Sequence, residues 1–227
     1  MAHADPASVP ILQRFFKTGP GEYGERDVFV GVRVPAMRSV CRECRGAPLD
    51  TIRTLLRSRV HEERSLALML LVDAFKAADE AGRQAIYDLY LSHTVSINNW
   101  DLVDASAAQI LGGWLHPRDR APLRTLAASV SLWERRMAII ATANFIKRGE
   151  FDDTFAIADM LLHDEHDLIH KAVGWMLREV GKRDEDVLRR FLDEHAPRMP
   201  RTALRYALER MSEAQRRRYM SIPRVSR

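Results

Sequence analysis

Apolar residues recur at intervals of three and four along almost the whole chain. In EERSLALMLLVDAFKAA, Leu66, Leu70 and Ala74 fall on one face, and Met69, Val72 and Phe75 broaden it. Such a stripe marks a helix with one buried side. SVPILQRFFKT, EAGRQAIYDLYLSH, DLVDASAAQILGGWL, WERRMAIIATANFIKRG, FDDTFAIADMLLHD, IHKAVGWMLREVGKR and EDVLRRFLDEHAP carry the same period. GPGEYG, HPRDRAP and RMPRT punctuate the series, since glycine and proline interrupt helical geometry. Only DVFVGVRVP has the composition of a strand. With no second strand to pair with, it reads as an extended connector that places Val34 and Pro35 ahead of the next helix. The pattern predicts an all-α fold.

Three of the helices resemble one another. ERSLALMLL, ERRMAIIAT and HKAVGWMLR each set a basic residue, Arg64, Arg136 and Lys171, at the start of an apolar face. The last two are about 35 residues apart and the first two about twice that, with the Trp100 helix halfway. That period predicts two-helix units of the HEAT or TPR kind, stacked into a curved solenoid with a concave groove. The recurrent cations are expected along one rim, making the groove basic and suited to a phosphate backbone. One continuous helical-repeat domain is expected over residues 1–227, with a flexible tail after about residue 222.

Composition narrows the class. An apolar content of 46% with 29% charged residues describes a folded chain. MAHADPASVP lacks the basic head and apolar run of an export signal, and LALMLLV falls far short of the roughly 18 apolar residues a membrane span needs. A cytoplasmic monomer with no membrane partner is expected. The net charge of +4 hides a bias, because the segment from Arg198 onward carries many arginines against Glu209 and Glu213. Arginine, forked and permanently charged, suits phosphate.

Several motifs point to no chemistry. Cys41 and Cys44 form a lone CREC with no second ligand pair, inside VPAMRSVCRECRG, which reads as one helix. His163, His166 and His170 in HDEHDLIH open a helix, where acidic neighbours are ordinary. Neither a metal nor another cofactor is expected, and there is no phosphate-binding glycine loop or GxSxG elbow.

INNWDLVDAS is different. Asn98 or Asn99 can cap the helix that begins near Trp100, and Asp101 in its first turn favours the positive end of the helix dipole. Asp104 has no such excuse. It follows Trp100 by four residues, so both project on one face, distinct from that of Leu102, Ala105 and Ile110. Trp133 with Arg136, and Trp175 with Arg178, repeat the pairing of an indole with a polar group one turn on. Trp114, within ILGGWL, reads as a core filler.

FVGVRVPAMR, NNWDLVD, WERRMAI and KAVGWMLRE, in this order and spacing, resemble the AlkD-type DNA alkylation repair glycosylases, from about residue 10 to 215. That resemblance implies excision of N3- and N7-alkylated purines from duplex DNA by hydrolysis of the N-glycosidic bond. It implies that Asp104 is the catalytic carboxylate, that Trp100 and Trp175 flank the lesion's sugar, and that Arg136 holds the DNA backbone. Arg178 matches a further basic position, and Lys171 and Arg135 are expected to add backbone contacts. The resemblance also implies a groove that meets the lesion with its base still stacked, and so tolerates bulky cationic adducts. The rival expectations are a non-catalytic helical-repeat DNA binder and a protein-interaction scaffold.

Overall fold

The computed structural model describes residues 3–25 and 27–225. Its helices are α1 (Val9–Phe15), α2 (Val34–Glu43), α3 (Leu49–Leu56), α4 (His61–Ala77), α5 (Glu80–Leu91), α6 (Trp100–Leu115) and α7 (Ala121–Ala127). They continue with α8 (Leu132–Ala141), α9 (Ala143–Ile146), α10 (Asp152–Leu161), α11 (Asp167–Gly181), α12 (Glu185–His195), α13 (Arg201–Ala207) and α14 (Glu213–Ser221). Among the described residues the only β-type pairing is an isolated bridge, Val28 with Val60. The fold is all-α, as the apolar period predicts.

The segment DVFVGVRVP is an extended connector, and a carboxylate explains how it stays one. Glu62 accepts hydrogen bonds from the backbone N–H groups of Val30 (3.1 Å), Gly31 (2.9 Å) and Val32 (3.3 Å). These donors are thus satisfied without a partner strand. Gly31 has φ +86°, and a Cβ there would lie 2.0 Å from the carbonyl oxygen of Asp5, so no other residue fits.

The helices fall into two compact units, Met1–Ile110 and Leu111–Arg227, each with its own core. In the first, Ile52, Leu56, Leu68, Leu71, Tyr90, Ile97, Leu102 and Val103 are buried. In the second, Leu123, Met137, Ile139, Phe145, Leu161, Ile169, Met176, Leu177, Leu192 and Leu204 are buried. Trp114 joins this core, with the Arg118 guanidinium 3.5 Å above its ring. Beyond Ser221 the chain is tied back, as Val225 donates its N–H to the Pro197 carbonyl and Arg201 donates to the carbonyl of Ile222. The last two positions of the expected tail, 226 and 227, lie outside the described residues.

A repeat is visible in how helices begin. Starts at residues 61, 100, 132, 167 and 201 keep close to the 35-residue period. Three of these entries share one clasp. The side chains of Ser58, Ser129 and Asp164 accept from the N–H two residues on, at Val60, Ser131 and His166. Their carbonyls meet the side chains six residues on, at Arg64, Arg135 and His170. The repeat therefore aligns Arg64 with Arg135 and His170, one position earlier than the sequence register of Arg64, Arg136 and Lys171.

This corrects the expected rim of cations. Arg64 is 4% exposed and its guanidinium bonds Asp27, Asn98 and the Ser58 carbonyl, so it binds the fold together and does not stand on a solvent-facing rim. Of the three, only Lys171 keeps substantial exposure.

Two glycines set how closely helices pack within the second unit. A Cβ on Gly112 would lie 2.3 Å from the Ala141 carbonyl oxygen, and one on Gly174 would lie 2.4 Å from that of Ala203. In both cases backbone meets backbone where any side chain would intrude.

Candidate functional site

Trp100 and Asp104 stand one turn apart on α6, in the first unit. Asn99 opens the helix: its Oδ1 accepts the N–H of Trp100 at 2.8 Å. Phe16 stacks on the Trp100 indole with centroids 5.5 Å apart and planes at 24°, and Phe15 meets its edge at 5.6 Å. The indole is thereby held in one orientation. Asp104 is half-buried and so not lost in the packed interior. Its charge reaches Tyr90: burial pushes that phenol upward, Ser106 opposes by hydrogen bonding, and Asp104 adds to the rise.

Beneath Trp100 lies a buried ionic cluster. His61 bonds Asp27 through Nδ1 at 2.9 Å and Asp101 through Nε2 at 2.8 Å. Arg64 Nη2 donates to Asp27 at 2.5 Å, and Asn98 and Asn99 each donate to the same carboxylate at 3.3 Å. Phe29 stacks on the imidazole. Burial opposes the charged imidazolium, but the hydrogen bonds and charges of Asp101 and Asp27 outweigh it and raise His61 to about 9. Burial likewise opposes the Asp27 carboxylate, and His61, Arg64 and Asn99 together hold it below its usual range. Beside the cluster is an apolar cavity of about 430 Å³ lined by Phe15, Phe16, Phe29, Met37, His61 and Asp101 among others.

The remaining expected site residues belong to the second unit. Trp175 is half-buried on α11, its Nε1 donating to Glu179 at 3.1 Å. Arg178, one turn on, pairs with Glu209 and lies 3.8 Å from Glu179. Lys171 pairs with Asp167 at 2.6 Å. Arg136 is buried on α8 and donates to the Leu168 carbonyl at 2.5 Å. Arg135 donates to Asp164 at 2.5 Å and to the carbonyls of Ser129 and Val130. The structure thus gives Arg135 and Arg136 work inside the unit. His166 caps α11 through Nδ1, and among the described residues no group of three or more His, Cys, Asp or Glu is placed to hold a metal ion.

The profile of the family described as "DNA alkylation repair enzyme" matches residues 1–211. The chain belongs to that family. Among solved structures it is similar to a "Predicted DNA alkylation repair enzyme from Enterococcus faecalis", at 17% identity and a TM-score of 0.72, over 93% of this chain and 98% of that one. No curated protein matches it. As a DNA alkylation repair family member, the chain has DNA as its partner. None of its described helices is long and apolar enough to cross a membrane.

In this family member the ionic cluster and the phenylalanines behind Trp100 were invisible to periodicity. The cluster's side-chain bonds span 34 to 72 residues in sequence, and the phenylalanines reach Trp100 from 84 and 85 residues away. The available signal was a lone Asp27 ahead of an apolar run, and a histidine at the first position of α4.

The cluster makes stability depend on pH. In an unfolded chain histidine titrates near 6.5, and here it titrates at about 9. Its contribution is complete below the unfolded value and is lost as pH rises through the folded one. Denaturant midpoints are expected to fall between pH 7 and 10 by the equivalent of about 3 kcal/mol. His61→Gln should flatten that alkaline decline; a variant that declines as steeply as the parent would remove His61 as its source.

Proposed function

We propose that the chain is a monofunctional DNA glycosylase that hydrolyses the N-glycosidic bond of cationic N3- and N7-alkylated purines, the 3-methyladenine and 7-methylguanine type, in duplex DNA. The observation that carries this reading is Asp104, half-buried and one turn from the braced Trp100, in a chain of the DNA alkylation repair family.

The chemistry suits these side chains. Alkylation leaves the purine positively charged, so when its bond to C1′ breaks, the electron pair neutralises the departing base and no general acid is required. Positive charge moves to the sugar, which becomes oxocarbenium-like. A water oxygen then bonds to C1′ and releases a proton. Asp104 stabilises the sugar cation and orients that water, as carboxylates do in glycoside hydrolysis. Trp100 offers an electron-rich face to that cation, worth up to about 2 kcal/mol when desolvated, and Trp175 is the second indole assigned to the lesion. Arg136 is assigned to the register of the phosphate backbone, which it can reach only by leaving the Leu168 carbonyl, with Arg178, Lys171 and Arg135 contributing around it. Arg178 and Lys171 can do so by exchanging Glu209 and Asp167 for phosphate. The lesion is met while still stacked, and no cofactor takes part.

The test is direct. Incubated with methylated duplex DNA, the protein should release 3-methyladenine or 7-methylguanine, and it should also release bulkier cationic adducts. Duplex binding without base release would leave a non-catalytic DNA binder, and neither would leave a protein scaffold.

A further inference from the structure

A second surface of the first unit carries positive charge that nothing in the fold answers. It is a cavity of about 430 Å³ with mixed polar and apolar walls, bordered by α2, α4 and α6. Each helix lends residues one turn apart: Arg38 and Arg42 from α2, Asp73 with Met69, and Lys76 with Val72, from α4, and Ala105 and Gln109 from α6. Arg45 lies one turn beyond Arg42 and pairs with Asp73 at 3.6 Å; Lys76 pairs with the same carboxylate, also at 3.6 Å. Asp73, which also lines the cavity, thus answers Arg45 and Lys76 and leaves the α2 arginines Arg38 and Arg42 unanswered. Arg38 and Arg42 are exposed and have no ion pair or hydrogen bond among the described residues.

Gln109, which lines the cavity from α6, also carries a buried polar atom. Gln109 Oε1 is buried without a hydrogen-bond partner. Rotating the carboxamide by half a turn replaces that orphan acceptor with two N–H donors. The cavity then presents two forked guanidinium groups and an amide, a donor set matched to the oxygens of a phosphodiester. Gln109 lies five residues beyond Asp104 on the same helix, about 7.5 Å along its axis and turned about 140° around it.

We infer that the Arg38–Arg42–Gln109 cavity binds a backbone phosphate of the DNA duplex, close to the nucleotide presented to Asp104. This rests on the reading of the chain as a duplex-acting enzyme. The occupant is a phosphodiester and not a base edge, because the polar groups free to bind are two guanidinium groups and one amide.

The experiment is a salt series of duplex binding by fluorescence anisotropy. It compares the parent protein, the double variant Arg38→Ala with Arg42→Ala, and Arg53→Ala, whose side chain pairs with Asp50 on α3. Loss of the two guanidinium groups should lower the slope of log K against log salt by about 1 to 2 and weaken binding about tenfold or more near 100 mM salt. Arg53→Ala should keep the parental slope. Both side chains of the double variant are exposed, so thermal midpoints should stay together. A double variant with the parental slope overturns the inference and leaves the enzyme reading standing. Failure of the parent protein to bind duplex overturns that reading and this inference with it.

Discussion

Replacing Asp104 by asparagine should slow base release from methylated duplex by about 10² to 10³-fold, while duplex affinity stays within a few-fold of the parent. Asparagine keeps the shape and loses only the negative charge. The ground state, in which the cation sits on the base, is bound much as before. The transition state, in which the cation has moved to the sugar, loses the group that favours it. Single-turnover release of 7-methylguanine under saturating protein isolates that step, and anisotropy supplies the affinity. Unaltered release would take the carboxylate out of the mechanism. Equal loss of binding and release would make Asp104 a structural group.

Asp27→Ala should destabilise the protein by about 3–5 kcal/mol, with little change in the denaturant m-value. The carboxylate side chain is 2% exposed and takes bonds from His61, Arg64, Asn98 and Asn99. Its removal strands a buried guanidinium beside a buried imidazolium, a far larger cost than losing one neutral hydrogen bond. Because Asn99 opens α6, the loss should also loosen the turn that carries Trp100. A midpoint within 1 kcal/mol of the parent, on the same scale, would mean that the cluster is hydrated and not a buried ionic lock.

Local chemistry was the legible part of this chain. Asn99 at the entry to α6, the helical setting of Cys41, with Cys44 just past the helix end, the extended run before Val34 and the helix opening at HDEHDLIH all follow from neighbours within a few residues. Trp114 as core follows from its apolar surroundings. What stayed hidden depends on distant partners. Asp101 reads locally as a dipole-favoured first-turn acid, yet it is held by His61, forty residues away in sequence. The pair Arg135 and Arg136 shows the limit of pattern matching. Adjacent arginines are interchangeable in a sequence repeat, and only the clasp from Ser129 shows that Arg135 is the counterpart of Arg64. For the candidate site, the sequence alone brought out Trp100 and Asp104. The phenylalanines that brace the indole read only as the apolar face of a short helix.

The notches at Gly112 and Gly174 act as mechanical detents. With a neighbouring carbonyl seated where a side chain would stand, α6 against α8, and α11 against α13, cannot slide by a residue without driving a Cβ into that oxygen. Trp175 sits immediately beyond one such detent, so its indole is carried on a helix whose axial position is fixed before any ligand arrives. A helix indexed in this way cannot creep along its neighbour, so Trp175 keeps its height within the second unit.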